Sequence, residues 1–326
     1  MTRHRLSPLA MRLLRRAERE ASKYRPEMRR AILAAWEALR VDLNLSAIER
    51  LLAAGAIDVV AGLVADATGD LLGIRYTPLI RLTFSGSAQL GTTRLPGPLA
   101  GARFDLLNPN SVRAALGLET TALRTLTVEA AEMVRQAAAR GITAGLNPRT
   151  VARGIRDAIG LAPNQEAAVA NFRLALENIG TSRDALGYKL RDRRFDATLA
   201  KLRRDGGTLT PEQVDRMVGA YRQRSLAWNA ETHARTAALD AQRLGAKEAW
   251  ETSLRETGFD RSRVTKRWVA TQDNRTRPEH IEADGTVVQL DEQYPVDGGV
   301  MTPGEGVYNC RCIELIRVET AGSPFL

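Results

Sequence analysis

Cysteine is almost missing from this chain: there are two in 326 residues, Cys310 and Cys312. Two cysteines one residue apart build no disulfide framework, and a bond between them would be badly strained, so a reducing compartment is expected. Histidine is as scarce, with three residues, and aromatic residues make up only 5%. A core here has to be built from Ala, Leu, Ile and Val, which suits closely packed helices. No uninterrupted apolar run reaches the roughly 18 residues of a membrane span. The basic N-terminus is not followed by an apolar core and a small-residue cleavage site, so no signal peptide is expected. The patterns GxxxxGK[ST], GxGxxG in a βαβ setting and HExxH are also lacking, which removes the usual ATPase, dehydrogenase and zinc-protease classes. A DNA-packaging motor, which needs the phosphate loop, goes with them. No repeat, heptad array or low-complexity tract is visible.

Positive charge is what the chain has in surplus. Lys+Arg is 47 against Asp+Glu 38, for a net charge of +9. Such a surplus favours nucleic acid or another polyanion as a partner without setting the fold. It is uneven: residues 1–30 hold ten Lys/Arg against three Glu. With 44% hydrophobic and 26% charged residues, the chain reads as soluble with a real core, and its length allows two or three domains.

Taken in order, residues 8–23 place Leu9, Leu13, Leu14 and Ala17 at helical spacing among Arg12, Arg15, Arg16 and Arg19. This is a basic amphipathic helix. Tyr24-Arg25-Pro26 breaks it, and a helix over 27–43 follows with Met28, Ile32, Ala35, Trp36 and Leu39 on one face. Ser46-Ala47-Ile48-Glu49 reads as a capping box opening a helix to about residue 72. Residues 73–110, rich in glycine and proline, read as an irregular connection with a hairpin, Leu79–Phe84 being strand-like. From Asn110 the pattern is helical again, with Leu123, Leu126, Ala130, Met133 and Ala137 as one stripe. Asn147-Pro148 opens a short helix to Ile159, Asn164 or Gln165 opens another, and Ser182 is placed to cap the next segment.

Residues 189–204 hold seven Lys/Arg against two Asp. Arg191, Arg193 and Arg194 are therefore candidates for contact with DNA or an acidic partner, against the plainer reading of a solvated face. Thr210-Pro211-Glu212-Gln213 shows an N-cap, a proline and an N3 glutamine in turn. A long helix is expected over 223–244, ended by Gly245, with His233 on its buried face beside Leu226, Ala230 and Ala237. After Gly258 the pattern becomes strand-like at 264–270, 286–290 and 310–318. Helices first and short strands last predict an α+β chain, mostly α-helical, with an elongated helical body and a small C-terminal α+β module. The expected segments are 1–103, a basic arm and its Gly/Pro-rich connection; 104–257, helical; and 258–326, the α+β module.

The side chains able to do chemistry gather between Trp268 and Cys312. Cys310 and Cys312 are i and i+2, so on a strand they face the same way. With His280 and Asp273 they could form a tetrahedral zinc site of two sulfurs, a nitrogen and an oxygen. The bland alternative is two buried thiols and a hydrogen-bonded histidine. Nothing resembles a nucleophile elbow beside the cysteines. Asp273, Glu279, Asp284 and Glu305 could pair as acid and base, but no such motif frames them. Asp284-Gly285 reads as a tight turn between strands, and Pro303-Gly304 as another turn.

The order Trp268-Val269-Ala270-Thr271-Gln272-Asp273-Asn274-Arg275-Thr276-Arg277-Pro278-Glu279-His280, then Asp284-Gly285, Pro303-Gly304-Glu305 and Asn309-Cys310-Arg311-Cys312, resembles the phage Mu F-like head morphogenesis domain. The specific part covers about 45 residues. More loosely, Phe104-Asp105-Leu106-Leu107-Asn108-Pro109 is similar to the family's opening, and Glu231-Thr232 with its alanine-rich surroundings is similar to its central helix. Asn229-Ala230 stands where an arginine-threonine is expected, which weakens any role for Glu231.

The resemblance implies a non-enzymatic, structural minor head protein of a tailed bacteriophage, located in the virion at the portal vertex after assembly in the host cytoplasm. It implies the portal protein as partner, with the major capsid protein as a further one, and a part in head assembly and in DNA packaging or ejection. Packaged double-stranded DNA would be met through phosphate contacts that read no sequence. No membrane partner and no cofactor are expected, zinc being the exception left open. Some relatives carry a toxin domain after this module; the chain closes eight residues past Val318, so none is expected here. Two other readings stay open: a zinc-stapled DNA-binding module, and a nuclease or transferase using Asp273, His280, Cys310 and Cys312.

Overall fold

A computed structural model of the chain describes residues 7–179, 184–296 and 298–319. Among them are eleven α-helices and three strands. In chain order the helices are α1 Pro8–Ala21, α2 Arg25–Asp42, α3 Leu45–Ala53, α4 Ile57–Arg75, α5 Thr77–Thr92, α6 Pro109–Thr143, α7 Pro148–Ala158, α8 Pro163–Glu177, α9 Asp196–Asp205, α10 Pro211–Thr257 and α11 Pro278–Glu282. The strands are β1 Val264–Val269, β2 Val287–Gln289 and β3 Ile313–Val318, antiparallel in the order β2-β1-β3. The expected class, a mostly helical α+β protein, is what is found.

The chain forms two compact units: Met1–Arg29, Tyr76–Ala122 and Thr232–Leu326 make one; Arg30–Arg75 and Leu123–Glu231 make the other. These do not coincide with the consecutive segments 1–103, 104–257 and 258–326. The reason is that α6 and α10 each run from one unit into the other, so a unit is assembled from distant stretches of chain.

The expected face of α2 is buried, with Met28, Ile32, Ala35, Trp36 and Leu39 each 5% exposed or less; from Arg30 onward this helix belongs to the unit that lacks the sheet. Gly160 turns at φ +86° directly under the Trp36 indole, where a β-carbon would collide with the ring. Asn147 caps α7, its side chain accepting from Thr150 N at 2.8 Å. α8 is capped through Gln165, which accepts from Ala162 N at 3.0 Å. Ser182 lies outside the described residues. The unit closes over stacked rings, with Phe172 4.7 Å from Tyr221 and 5.1 Å from Tyr188.

Three local expectations are corrected. The cap of α3 is not Ser46 but Asn44, two residues earlier, whose side chain accepts from Ala47 N at 3.0 Å. That helix stops at Ala53 because Gly55 takes φ +74°, and α4 starts afresh. Residues 77–92 are not an irregular connection with a hairpin but the helix α5. Pro78 sits in its first turn, where the missing N–H costs nothing, and Ile80, Phe84 and Ala88 are buried. Gly245 does not end α10. A β-carbon there would collide with the Phe84 carbonyl oxygen, and one at Gly91 would collide with Ala249. These glycines let α5 and α10 touch backbone to backbone.

In the unit that carries the sheet, three apolar clusters meet its two faces. Trp268, Ala270, Ala283, Tyr294, Val296, Val300, Cys310 and Cys312 form one. Leu95, Leu99, Leu254, Val264, Leu290 and Ile316 form another. Ala17 of α1 joins Val269 and Ile313 in the third, with Ala10, Leu13, Leu14 and Leu315 packed against it. Thus α1 is part of this unit's core.

Candidate functional site

β1 delivers Trp268 into the first of those clusters, fully buried. Its ring stands edge-on to His280 and to Tyr294, each at 5.2 Å. The chain leaves β1 and turns at Gln272, whose backbone is left-handed at φ +57°. Asp273 closes this turn, accepting from Arg275 N at 3.0 Å and from the Thr276 hydroxyl at 3.1 Å. α11 then starts at Pro278 and carries His280 into the core.

Asp284 follows α11. With Gly285 it forms the expected turn, placed between α11 and β2 rather than between two strands, and it is also a latch. One carboxylate oxygen accepts from Ala270 N at 2.8 Å and the other from Gln272 Nε2 at 3.0 Å. Gly285 takes φ +89° and donates its N–H to the Trp268 carbonyl at 2.9 Å. The second loop, Pro303-Gly304-Glu305, turns at Gly304 (φ +94°), where a β-carbon would strike the Arg243 guanidinium. Glu305 holds the loop by accepting from Met301 N at 2.8 Å.

Asn309 is the other left-handed residue besides glycine among the described residues, at φ +55°. Asparagine tolerates this conformation better than most side chains. It turns Cys310 and then Cys312 inward. Cys310 Sγ lies 3.5 Å and Cys312 Sγ 3.6 Å from His280 Nδ1. The three are 4%, 1% and 1% exposed in the order Cys310, Cys312, His280. Among the described residues this is the group whose nitrogen and sulfur atoms stand close enough to share a metal ion, all within 4.8 Å. A hydrogen bond between the two sulfurs lowers the Cys310 thiol and raises that of Cys312; His280 and the Arg243 charge also favour the Cys310 thiolate.

Asp273 does not join this group. Arg311, between the two cysteines, grips its carboxylate with two bonds of 2.6 Å. That grip holds the Asp273 carboxyl below the usual carboxylate range. Arg275 is exposed beside it. The set of four proposed from the sequence is therefore three residues and a neighbouring ion pair. Burial also keeps substrate from His280 and the cysteines, so the nuclease or transferase reading gains nothing from the geometry.

Sequence reasoning missed Arg243. It lies on the buried face of α10, donating Nε to the Cys312 carbonyl at 2.9 Å and Nη2 to the Cys310 carbonyl. Asp240, one turn back, holds its third nitrogen at 2.8 Å. An arginine and an aspartate at i, i+3 on the stripe that also carries His233 and Ala237 was the available signal. Lys266 was missed too. It is fully buried on β1, donating to the Met301 carbonyl at 2.7 Å with its charge 5.0 Å above the Tyr294 ring.

The basic candidates divide. Arg12, Arg15 and Arg19 are exposed on α1, and Arg16 is tied to Glu20 at 3.2 Å. Arg193 is exposed. Arg191 is held by both oxygens of Asp196 at 2.8 and 2.9 Å, and Arg194 by Asp192 at 2.6 Å. The 189–204 stretch is thus laced by its own carboxylates and is α-helical only from Asp196 onward, after a 3-10 turn over Arg193–Phe195.

A small sheet clasped by two loops to one long helix, with a Cys-x-Cys and histidine at the clasp, is a structural module. The model of the family described as Phage Mu protein F like protein matches residues 132–315, more than half of the chain, and the chain belongs to that family. It is accordingly a phage head morphogenesis protein, of a family of structural proteins of the virion head. The stretch Phe104–Pro109 lies before the matched residues. No curated protein and no solved structure matches the chain. No described helix is long and apolar enough to cross a membrane.

Proposed function

We propose that this head protein docks at the portal vertex and presents a basic helical surface to packaged double-stranded DNA. The observation that supports the second part is the sidedness of α1. Ala10, Leu13, Leu14 and Ala17 pack toward Val269, Ile313 and Leu315, which points Arg12, Arg15 and Arg19 outward at spacings of three and four. Three guanidinium groups on one rigid face can meet successive phosphates without reading bases. Arg191 and Arg194 are weaker candidates, because each would have to leave a carboxylate to reach a phosphate. The portal protein, rather than the major capsid protein, is the docking partner expected for a low-copy head protein of this family.

The test is duplex binding as a function of salt. Each phosphate contact contributes about 0.9 to the slope of log K against log salt, so replacing Arg12, Arg15 and Arg19 by alanine should reduce the slope by up to about 2.7 for any duplex sequence. An unchanged slope would remove α1 from the DNA surface.

A further inference from the structure

We propose that His280, Cys310 and Cys312 bind one zinc ion, which staples the loop after β1 to the segment that enters β3.

Two sulfurs and an imidazole nitrogen are the soft and borderline ligands that zinc takes in structural sites. Zn–S bonds of about 2.3 Å and Zn–N bonds of about 2.0–2.1 Å at tetrahedral angles place nitrogen and sulfur about 3.5–3.6 Å apart. His280 Nδ1 stands 3.5 Å from one sulfur and 3.6 Å from the other. A single N–H···S bond favours one sulfur over the other. One ring N–H has one proton to donate and one direction to donate it in, whereas a metal at the centre makes the two distances equal.

Hydrogen-bond donors surround the sulfurs. The backbone N–H groups of Cys312 and Thr271 approach the sulfurs of Cys310 and Cys312 respectively. The Arg243 guanidinium, itself buried, binds both cysteine carbonyls and brings a positive charge to a site with two negative ligands. Such outer partners orient ligands and tune a metal site. Trp268 fixes the imidazole plane from the side, edge-on at 86°. Among the described residues three donors converge here, and a water molecule can complete the tetrahedron. Asp273 does not supply the fourth ligand, being held by Arg311.

The need for a staple is also visible. The sheet has three strands, one of three residues, and the loops joining them are long and mostly irregular. Few ladder bonds hold them. A metal joining α11 to the entry of β3 would close this part of the module.

The test uses the full chain purified without chelators, its metal content measured against protein. The expected result is about one zinc per chain, falling to a small fraction in Cys310→Ser and Cys312→Ser. Because either variant could fail to fold, wild-type protein is also loaded with cobalt(II), where thiolate-to-cobalt charge transfer and strong tetrahedral d–d bands are expected. Less than about 0.2 zinc per chain after purification in zinc-supplemented buffer, with no thiolate–cobalt band, would overturn the proposal and leave two reduced thiols beside a histidine.

Discussion

Asn309 holds a left-handed backbone that aims Cys310 inward, and its N–H is caught by the Thr236 hydroxyl of α10 at 3.0 Å. Its side chain matters less than the conformation it tolerates. Asn309→Gly should change stability by only a few tenths of a kcal/mol, while Asn309→Val should cost about 1–3 kcal/mol, because a β-branched residue resists positive φ. Arg243 is a different kind of anchor. Removing its guanidinium strands two buried carbonyls and the Asp240 carboxylate, which burial already pushes up to about 7. Arg243→Met should therefore cost about 1–3 kcal/mol for each buried carbonyl left without its donor. Hydrogen exchange of the β1 and β3 amides reads both effects locally; protection unchanged in Arg243→Met would contradict the clasp.

At the scale of elements, small residues set how closely helices approach. Gly→Ala inside a helix ordinarily gains about 1 kcal/mol. Gly245→Ala should instead destabilise by about 1–3 kcal/mol, since the added carbon meets the Phe84 carbonyl of α5. A stabilised variant, measured by thermal unfolding, would show that the two helices are free to part. The turn before α9 makes a pH prediction. Arg194 hydrogen bonds hold the Asp192 carboxyl down to about 2, below the ordinary 3.8. A depressed carboxylate stabilises the fold above its unfolded pKa and loses that contribution as pH falls through the folded one. The stability gap between wild type and Asp192→Asn should be full at pH 6 and shrink from about pH 4 toward pH 2.

The elements divide by where their cause lies. The buried face of α2, the Asn147 cap of α7 and the Thr210 cap of α10 are local facts, written in adjacent residues. At the last, Thr210 Oγ1 accepts from Gln213 N at 3.3 Å while Gln213 Oε1 accepts from Thr210 N at 2.9 Å. α5 was hidden because Gly86, Gly91 and Pro78 look like breakers, and only a helix arriving more than 150 residues later explains why Gly91 is small. In the site, the Cys-x-Cys and histidine stood out by rarity and the strands by alternation. Arg243 and the Asp273–Arg311 pair did not, because a partner tens of residues away leaves no periodicity to read.

For the whole molecule, charge and family point the same way. The net charge of +9 and the outward arginines of α1 suit a protein that meets concentrated DNA, and membership of the Mu F-like family puts it in a phage head. The clasp of α10 on the sheet gives that protein a rigid module without a catalytic centre being required of it. Its position in the head is the claim on which the functional account turns. An asymmetric reconstruction of purified heads, made without imposing icosahedral symmetry, tests it directly. The account predicts density for the β2-β1-β3 sheet and α10 against the portal at a single vertex; the same density spread over the capsid lattice, or missing from the portal vertex, would contradict it.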